Sequence, residues 1–209
     1  MGKVKIKKSD VWIDMTPMSD VMVLLLTFFM LTSTFVKQEP VRVNTPGSVS
    51  EIKVPENNVL NILVSDDGKI FMSLDKTTDK EAALQDVTGQ FGIELTAEQQ
   101  KKFSDDPMWG VPMDDLQAYL NMDKNKMPEA IKNYGIPTDS VKGKEGDAAM
   151  SEFQIWVKAA KEANPDAKIA IKADEKTPYK TVKKIMSELQ DMNENRYYLI
   201  TQYKKQEDA

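Results

Sequence analysis

The chain has 209 residues, 41% hydrophobic and 29% charged with a net charge of -5, which is the composition of a soluble globule. That length suits one modest domain plus an anchor and a linker. Cysteine and histidine are absent, which removes disulfides, thiol nucleophiles and thiolate metal sites, along with the usual acid–base shuttle and the commonest transition-metal ligand. Enzymatic readings are left with carboxylate chemistry.

Residues 1–12 read as a basic tail, with Lys3, Lys5, Lys7 and Lys8 ahead of Trp12 as an interfacial anchor. One apolar run follows, Met18–Val36, just long enough to cross a hydrocarbon core that needs about 20 residues. Thr16-Pro17 predicts its helical start, Thr16 as N-cap and Pro17 at the first helical position. We place the transmembrane helix at 13–36. Beyond it, Lys37, Arg42 and Lys53 are interleaved with Glu39, Glu51 and Glu56, so the positive-inside rule puts the N-terminus in the cytoplasm. A cleaved signal peptide is the competing reading of a basic segment before an apolar one. Against it, no Ala-x-Ala-like site follows, Thr32-Ser33-Thr34 being the nearest approach.

Asp20 lies in the first turns of this run. A carboxylate there costs about 2.5–3.5 kcal/mol on insertion scales, and its default reading is a proton or ion site. The competing reading is a solvated charge at the headgroup boundary, one turn from the helix start. Thr16, Asp20, Thr27 and Thr34 fall on one narrow stripe at 3.6 residues per turn. That stripe suits a hydrated pore or a helix seam, but back-bonding to the preceding turn explains membrane threonines equally well.

The segment 37–58, with Pro40, Pro46, Gly47 and Pro55, predicts an extended linker or edge segment. A folded domain is expected over 59–202, with 203–209 as a tail. Val59–Ser65 and Lys69–Ser73 are strand candidates joined at Asp67-Gly68, and Asp79–Phe91 reads as a helix. Met150–Ala163 is helical, and Lys168–Lys172 alternates like a strand. Thr177-Pro178 repeats the Thr-Pro start and opens a helix to about Met192, before a closing strand, Tyr197–Gln202. These elements predict an α/β fold: a small two-layer domain, its helices on one side of the sheet.

Between them, about 92–147, lies a mostly helical insertion. Thr96-Ala-Glu-Gln99 is a capping-box pattern opening a helix to Phe103. Pro112–Asn121 is a second helix, and Pro128, Gly135, Pro137, Gly143 and Gly146 break up the rest. If the insertion is packed, Phe103, Trp109, Leu116 and Leu120 are buried. Asn121–Asn125 is no calcium loop, because Lys126 and Lys132 occupy the required Gly and Glu positions. Gly143–Gly146 lacks phosphate-loop spacing. Asp174, between a strand and a helix, suits turn capping better than recognition.

Ile13-Asp-Met-Thr-Pro-Met-Ser-Asp-Val-Met-Val-Leu-Leu-Leu-Thr-Phe-Phe-Met-Leu closely resembles the membrane segment of the ExbD/TolR family. Thr16, Pro17 and Asp20 match position for position, and Asp14 stands where Asn is common. The outer domain of that family is similar to Asp67-Gly68-Lys69-Ile70, Ile171–Asp174 with Pro178-Tyr179-x-x-Val182, and Leu199-Ile200-Thr201. The insertion does not match shorter members.

The resemblance implies a proton-motive-force-coupled stator subunit in the bacterial inner membrane, single-pass, with a periplasmic domain. It implies ExbB/TolQ/MotA-like channel partners, a TonB-like or Tol-like periplasmic partner and a homodimer within the complex. Asp20 is then the proton relay, with Thr16, Pro17, Thr27 and Thr34 as helix cap and pore-facing stripe. No cofactor, metal or nucleic-acid partner is expected, and no enzymatic role. A passive envelope tether is the alternative from another class, and TonB-type and Tol-type roles stay open within the first.

Overall fold

An apolar run with Pro17 in its first turn makes α1 (Thr16–Thr32), a helix of 17 residues and none of them buried. In the computed structural model, residues 14–33, 39–48, 57–139 and 150–203 are described. Thr34, the tail 1–12 with Trp12, and Gly143–Gly146 lie outside them. The chain divides into two compact units, 1–37 and 38–209. α1 is shorter than the expected 13–36: Ser33 has already left helical geometry at φ -66, ψ 108. No helix among the described residues is long and apolar enough to cross a membrane.

The second unit is mixed α/β. Its first element is β1 (Gly47–Ser48), within the segment read as a linker. β2 (Val59–Val64) turns at Asp67-Gly68 into β3 (Ile70–Leu74), antiparallel, with Leu63 opposite Phe71. Gly68 sits at φ +77, where a side chain is strained, and a Cβ would also meet Thr181 Oγ1 at 3.2 Å. Then come α2 (Thr77–Phe91), α3 (Ala97–Asp105), α4 (Met113–Leu120) and the short α5 (Met127–Ala130), continued by a 3-10 turn at Ile131–Asn133. α6 (Glu152–Ala163), β4 (Lys168–Ala173), α7 (Tyr179–Asp191), β5 (Tyr197–Leu199) and β6 (Gln202–Tyr203) complete the order.

The main sheet has the order β3-β2-β4-β5, with β2–β4 and β4–β5 parallel. The alternation read in Lys168–Lys172 predicts one wet face, yet Ile169, Ala170 and Ile171 are all 0% exposed. A central strand with parallel neighbours is covered on both sides, so period-two polarity fades.

Pairing tells the faces apart. Met72 exchanges both backbone hydrogen bonds with Trp109, at 2.7 and 2.9 Å, and the Trp109 ring lies 5.4 Å from Trp156 of α6. That is the helix-covered face. Phe71 points the other way by strand alternation and lines a cleft with Val41 and Pro128. The strictly two-layer picture is therefore incomplete, because part of the second face lies under residues 39–48. This strap is fixed at several points. Asn44 N–H donates to Asp174 at 2.8 Å, Glu175 N–H donates to the Asn44 carbonyl at 2.8 Å, and β1 pairs parallel with β6.

The region about 92–147 is packed and helical where described. Phe103, Trp109, Leu116 and Leu120 are all buried. The Trp109 bridge, together with the Ile136 N–H bond to the Ile70 carbonyl at 2.9 Å, covers the outer edge of β3. An edge strand so covered offers no ladder to another chain. Lys80 of α2 is 3% exposed and gives its ammonium to the carbonyls of Phe103 and Asp106, at the C-terminal end of α3. It also lies 4.6 Å from the Phe103 ring centroid. A buried cation is thereby satisfied by carbonyl dipoles and a π face.

Candidate functional site

The two Thr-Pro helix starts are built differently from expectation. At α1 the cap position falls on Met15, and Thr16 is already helical. Asp14 does the capping: one carboxylate oxygen accepts the Thr16 N–H at 2.9 Å and the Thr16 hydroxyl at 2.6 Å. A carboxylate reaching two residues forward accepts more readily than a hydroxyl, which turns Thr16 into a donor. Sequence reasoning treated Asp14 only as a replacement for Asn; an Asx two residues before Thr-Pro is the signal that finds it. At α7 the cap position falls on Pro178, and the Thr177 hydroxyl instead bonds the Ser65 carbonyl at 2.9 Å.

Asp20 lies on the second turn of α1, exposed, and among the described residues no hydrogen bond or ion pair engages its carboxylate. Around it the helix presents large apolar side chains in every direction: Met18 is 65% exposed, Met22 73%, Leu26 69% and Phe29 65%. Thr27, seven residues on, returns to within about 20° of the Asp20 direction. Its hydroxyl bonds the Leu24 carbonyl at 2.9 Å, as that of Thr32 bonds Phe28 at 2.8 Å. So Thr27 follows the back-bonding pattern while sharing Asp20's side of the helix. Thr34, the fourth member of the stripe, is outside the described residues.

A helix apolar on all sides is made for burial or for lipid. A lone carboxylate on such a surface is its one group able to exchange a proton with water or with a facing partner.

The family model described as Biopolymer transport protein ExbD/TolR matches residues 7–204. The chain belongs to the ExbD/TolR family. No curated protein and no solved structure matches it. The matched span includes the region 92–147.

In the outer domain, Asp174 is a capping residue with a second partner. One oxygen accepts the Lys176 N–H at 3.0 Å and the other the Asn44 N–H at 2.8 Å. These two bonds hold its carboxyl below the usual range, the Lys176 bond first. Two buried glutamates were not singled out from the sequence. Glu152 is 8% exposed and accepts the Met113 N–H at 3.1 Å, and Glu188 is 9% exposed and accepts the Ser151 hydroxyl at 2.5 Å. Burial raises the pKa of both. Together they tie α4, α6 and α7. Among the described residues no group of three acidic side chains is placed to hold a metal.

Proposed function

We propose that this chain is the proton-motive-force-coupled stator subunit of an inner-membrane complex of the ExbB–ExbD–TonB kind, powering transport across the outer membrane. The observation that carries the reading is Asp20 on an otherwise apolar helix whose sequence lies within the family match. α1 spans about 25 Å at roughly 1.5 Å per residue, somewhat less than a hydrocarbon core of about 30 Å. Membranes accommodate such a shortfall by local thinning, by snorkelling of flanking lysines and by helix association. The excess of Lys3, Lys5, Lys7 and Lys8 ahead of the helix supports a cytoplasmic N-terminus.

In this role Asp20 takes a proton from one aqueous route and releases it to another, with channel-forming ExbB/TolQ-like subunits supplying the routes. Each charge moved through 100 mV releases about 2.3 kcal/mol, enough to bias a conformational step. The helix passes that step to the periplasmic domain and on to a TonB-like partner. A homodimer inside the channel brings the Asp20–Thr27 sides of two helices together. The role needs no covalent substrate and no cofactor.

A Tol-type role in envelope integrity uses the same parts and differs in partner. Deleting the chain from its host separates the two. Loss of energised uptake with an intact envelope is the expected phenotype; leakage of periplasmic enzymes with normal uptake would assign the Tol role. Orientation is checked with single cysteines at Lys5 and Lys204 in intact spheroplasts. An impermeant thiol reagent should label position 204 and spare position 5, and the reverse would invert the topology.

A further inference from the structure

A cleft of about 700 Å³ in the second unit has three walls from distant parts of the chain. One is the strap, through Glu39–Arg42. The second is the turn after β2, through Ser65–Asp67. The third is the start of α5 and the turn after it, through Pro128, Glu129 and Lys132, a part of the insertion. The volume falls in the range of sites that enclose a small ligand or a few peptide residues.

Its floor is apolar and fixed. Phe71 is 1% exposed, and the Phe71 ring leaves no room for a Cβ on Gly110, which would come within 2.2 Å of it. Val41 and Pro128 flank this floor. The rim carries four carboxylates, Glu39, Asp66, Asp67 and Glu129, against two cations, Arg42 and Lys132. Carboxylates outnumber cations on the rim two to one. Asp67 meets Lys69 at 3.8 Å, and among the described residues no ion pair engages Glu39, Asp66 or Glu129.

We propose that this cleft docks an extended basic peptide segment of a partner protein. Lysine or arginine stems lie along Pro40 and Pro128, over Val41 and the buried Phe71, while their heads meet the rim carboxylates, the split that amphipathic side chains favour. An acidic segment meets the excess of like charge and is rejected.

One wall is the strap itself, so the segment binds only the form in which the strap is docked, and its binding strengthens that docking by linkage. The insertion thereby gains a function: with the strap, it completes a partner site. The inference stands or falls independently of Asp20.

The test uses the full chain in lipid nanodiscs and fluorescein-labelled tri-lysine amide as probe, followed by anisotropy. Saturable binding is expected, at least tenfold weaker in the D66N/E129Q double variant, whose exposed changes leave the core untouched. Asn44→Pro changes no charge and lines no wall, but removes the N–H that Asp174 accepts; it should weaken binding at least threefold, with unchanged tryptophan fluorescence showing a folded domain. Equal binding by D66N/E129Q or by N44P would reduce the effect to general attraction toward an acidic chain and overturn the site. Tri-glutamate binding as well as tri-lysine would overturn the charge assignment. Spermidine binding as tightly as the peptide would replace a peptide partner with a free polyamine.

Discussion

Lys80 shows how one buried side chain holds a region in place. Its ammonium donates to the carbonyls of Phe103 and Asp106, and the Phe103 and Trp109 rings lie 4.6 and 5.6 Å from it. Lys80→Met keeps the stem and removes the charge and both of these hydrogen bonds. A loss of about 2 kcal/mol is expected in urea unfolding, within the range of an orphaned buried polar group. Unchanged stability would mean that water replaces the ammonium. Glu152 and Glu188 act in the opposite sense. Burial raises their pKa in the folded chain, so the folded state holds more protons than the unfolded one. Their contribution is complete below the ordinary glutamate range and is lost as the pH rises through the raised values. Stability should therefore fall as the pH rises above the ordinary glutamate range, from these two groups. The fall should be smaller in the E152Q/E188Q variant, measured by urea midpoints. An identical pH slope in the variant would remove the two glutamates from the balance.

At the scale of elements, two capping boxes recur, Thr96 with Gln99 on α3 and Ser151 with Gln154 on α6. The loss of either hydroxyl costs about 1 kcal/mol by capping alone. Ser151 also donates to the buried Glu188 at 2.5 Å, so Ser151→Ala should destabilise more than Thr96→Ala. Equal effects would make the Glu188 bond energetically silent. The first box was legible from Thr96-Ala-Glu-Gln99 because caps are local chemistry. The strand Val59–Val64 was legible as the run before the Asp67-Gly68 turn signal, and Lys168–Ala173 from the alternation over Lys168–Lys172. What stayed hidden depends on partners far along the chain. Gly47–Ser48 becomes a strand only because Gln202–Tyr203 lies beside it, and Thr177 leaves its helix to bond the end of β2. The carbonyls near Lys80 and the N–H groups meeting Asp174 and Glu152 are likewise supplied by folding, so no local pattern announces them. On α1 the motif Thr16-Pro17 with Asp20 was readable by residue type, whereas the cap came from Asp14, two residues earlier.

Within the second unit, residues 92–139 pack onto the sheet and α6 as one body, because Trp109 and Ile136 hydrogen-bond to β3 and the Phe103–Trp109–Trp156 rings meet within 5.4 to 5.9 Å. Hydrogen exchange should show the amides of Trp109 and Ile136 as slow as those of β3 itself. Exchange there at loop rates, with β3 still protected, would mean that the insertion opens on its own. The proposed function has the helix that carries Asp20 drive that body. Asp20→Asn is nearly isosteric, cannot ionise, and removes the charge penalty of insertion. The decisive measurement is proton-motive-force-dependent uptake in cells that rely on this chain, wild type against Asp20→Asn, at abundance matched by immunoblot. The stator account predicts a normally inserted, normally abundant variant with no energised uptake. Full uptake by that variant would contradict the account and leave a passive tether in its place.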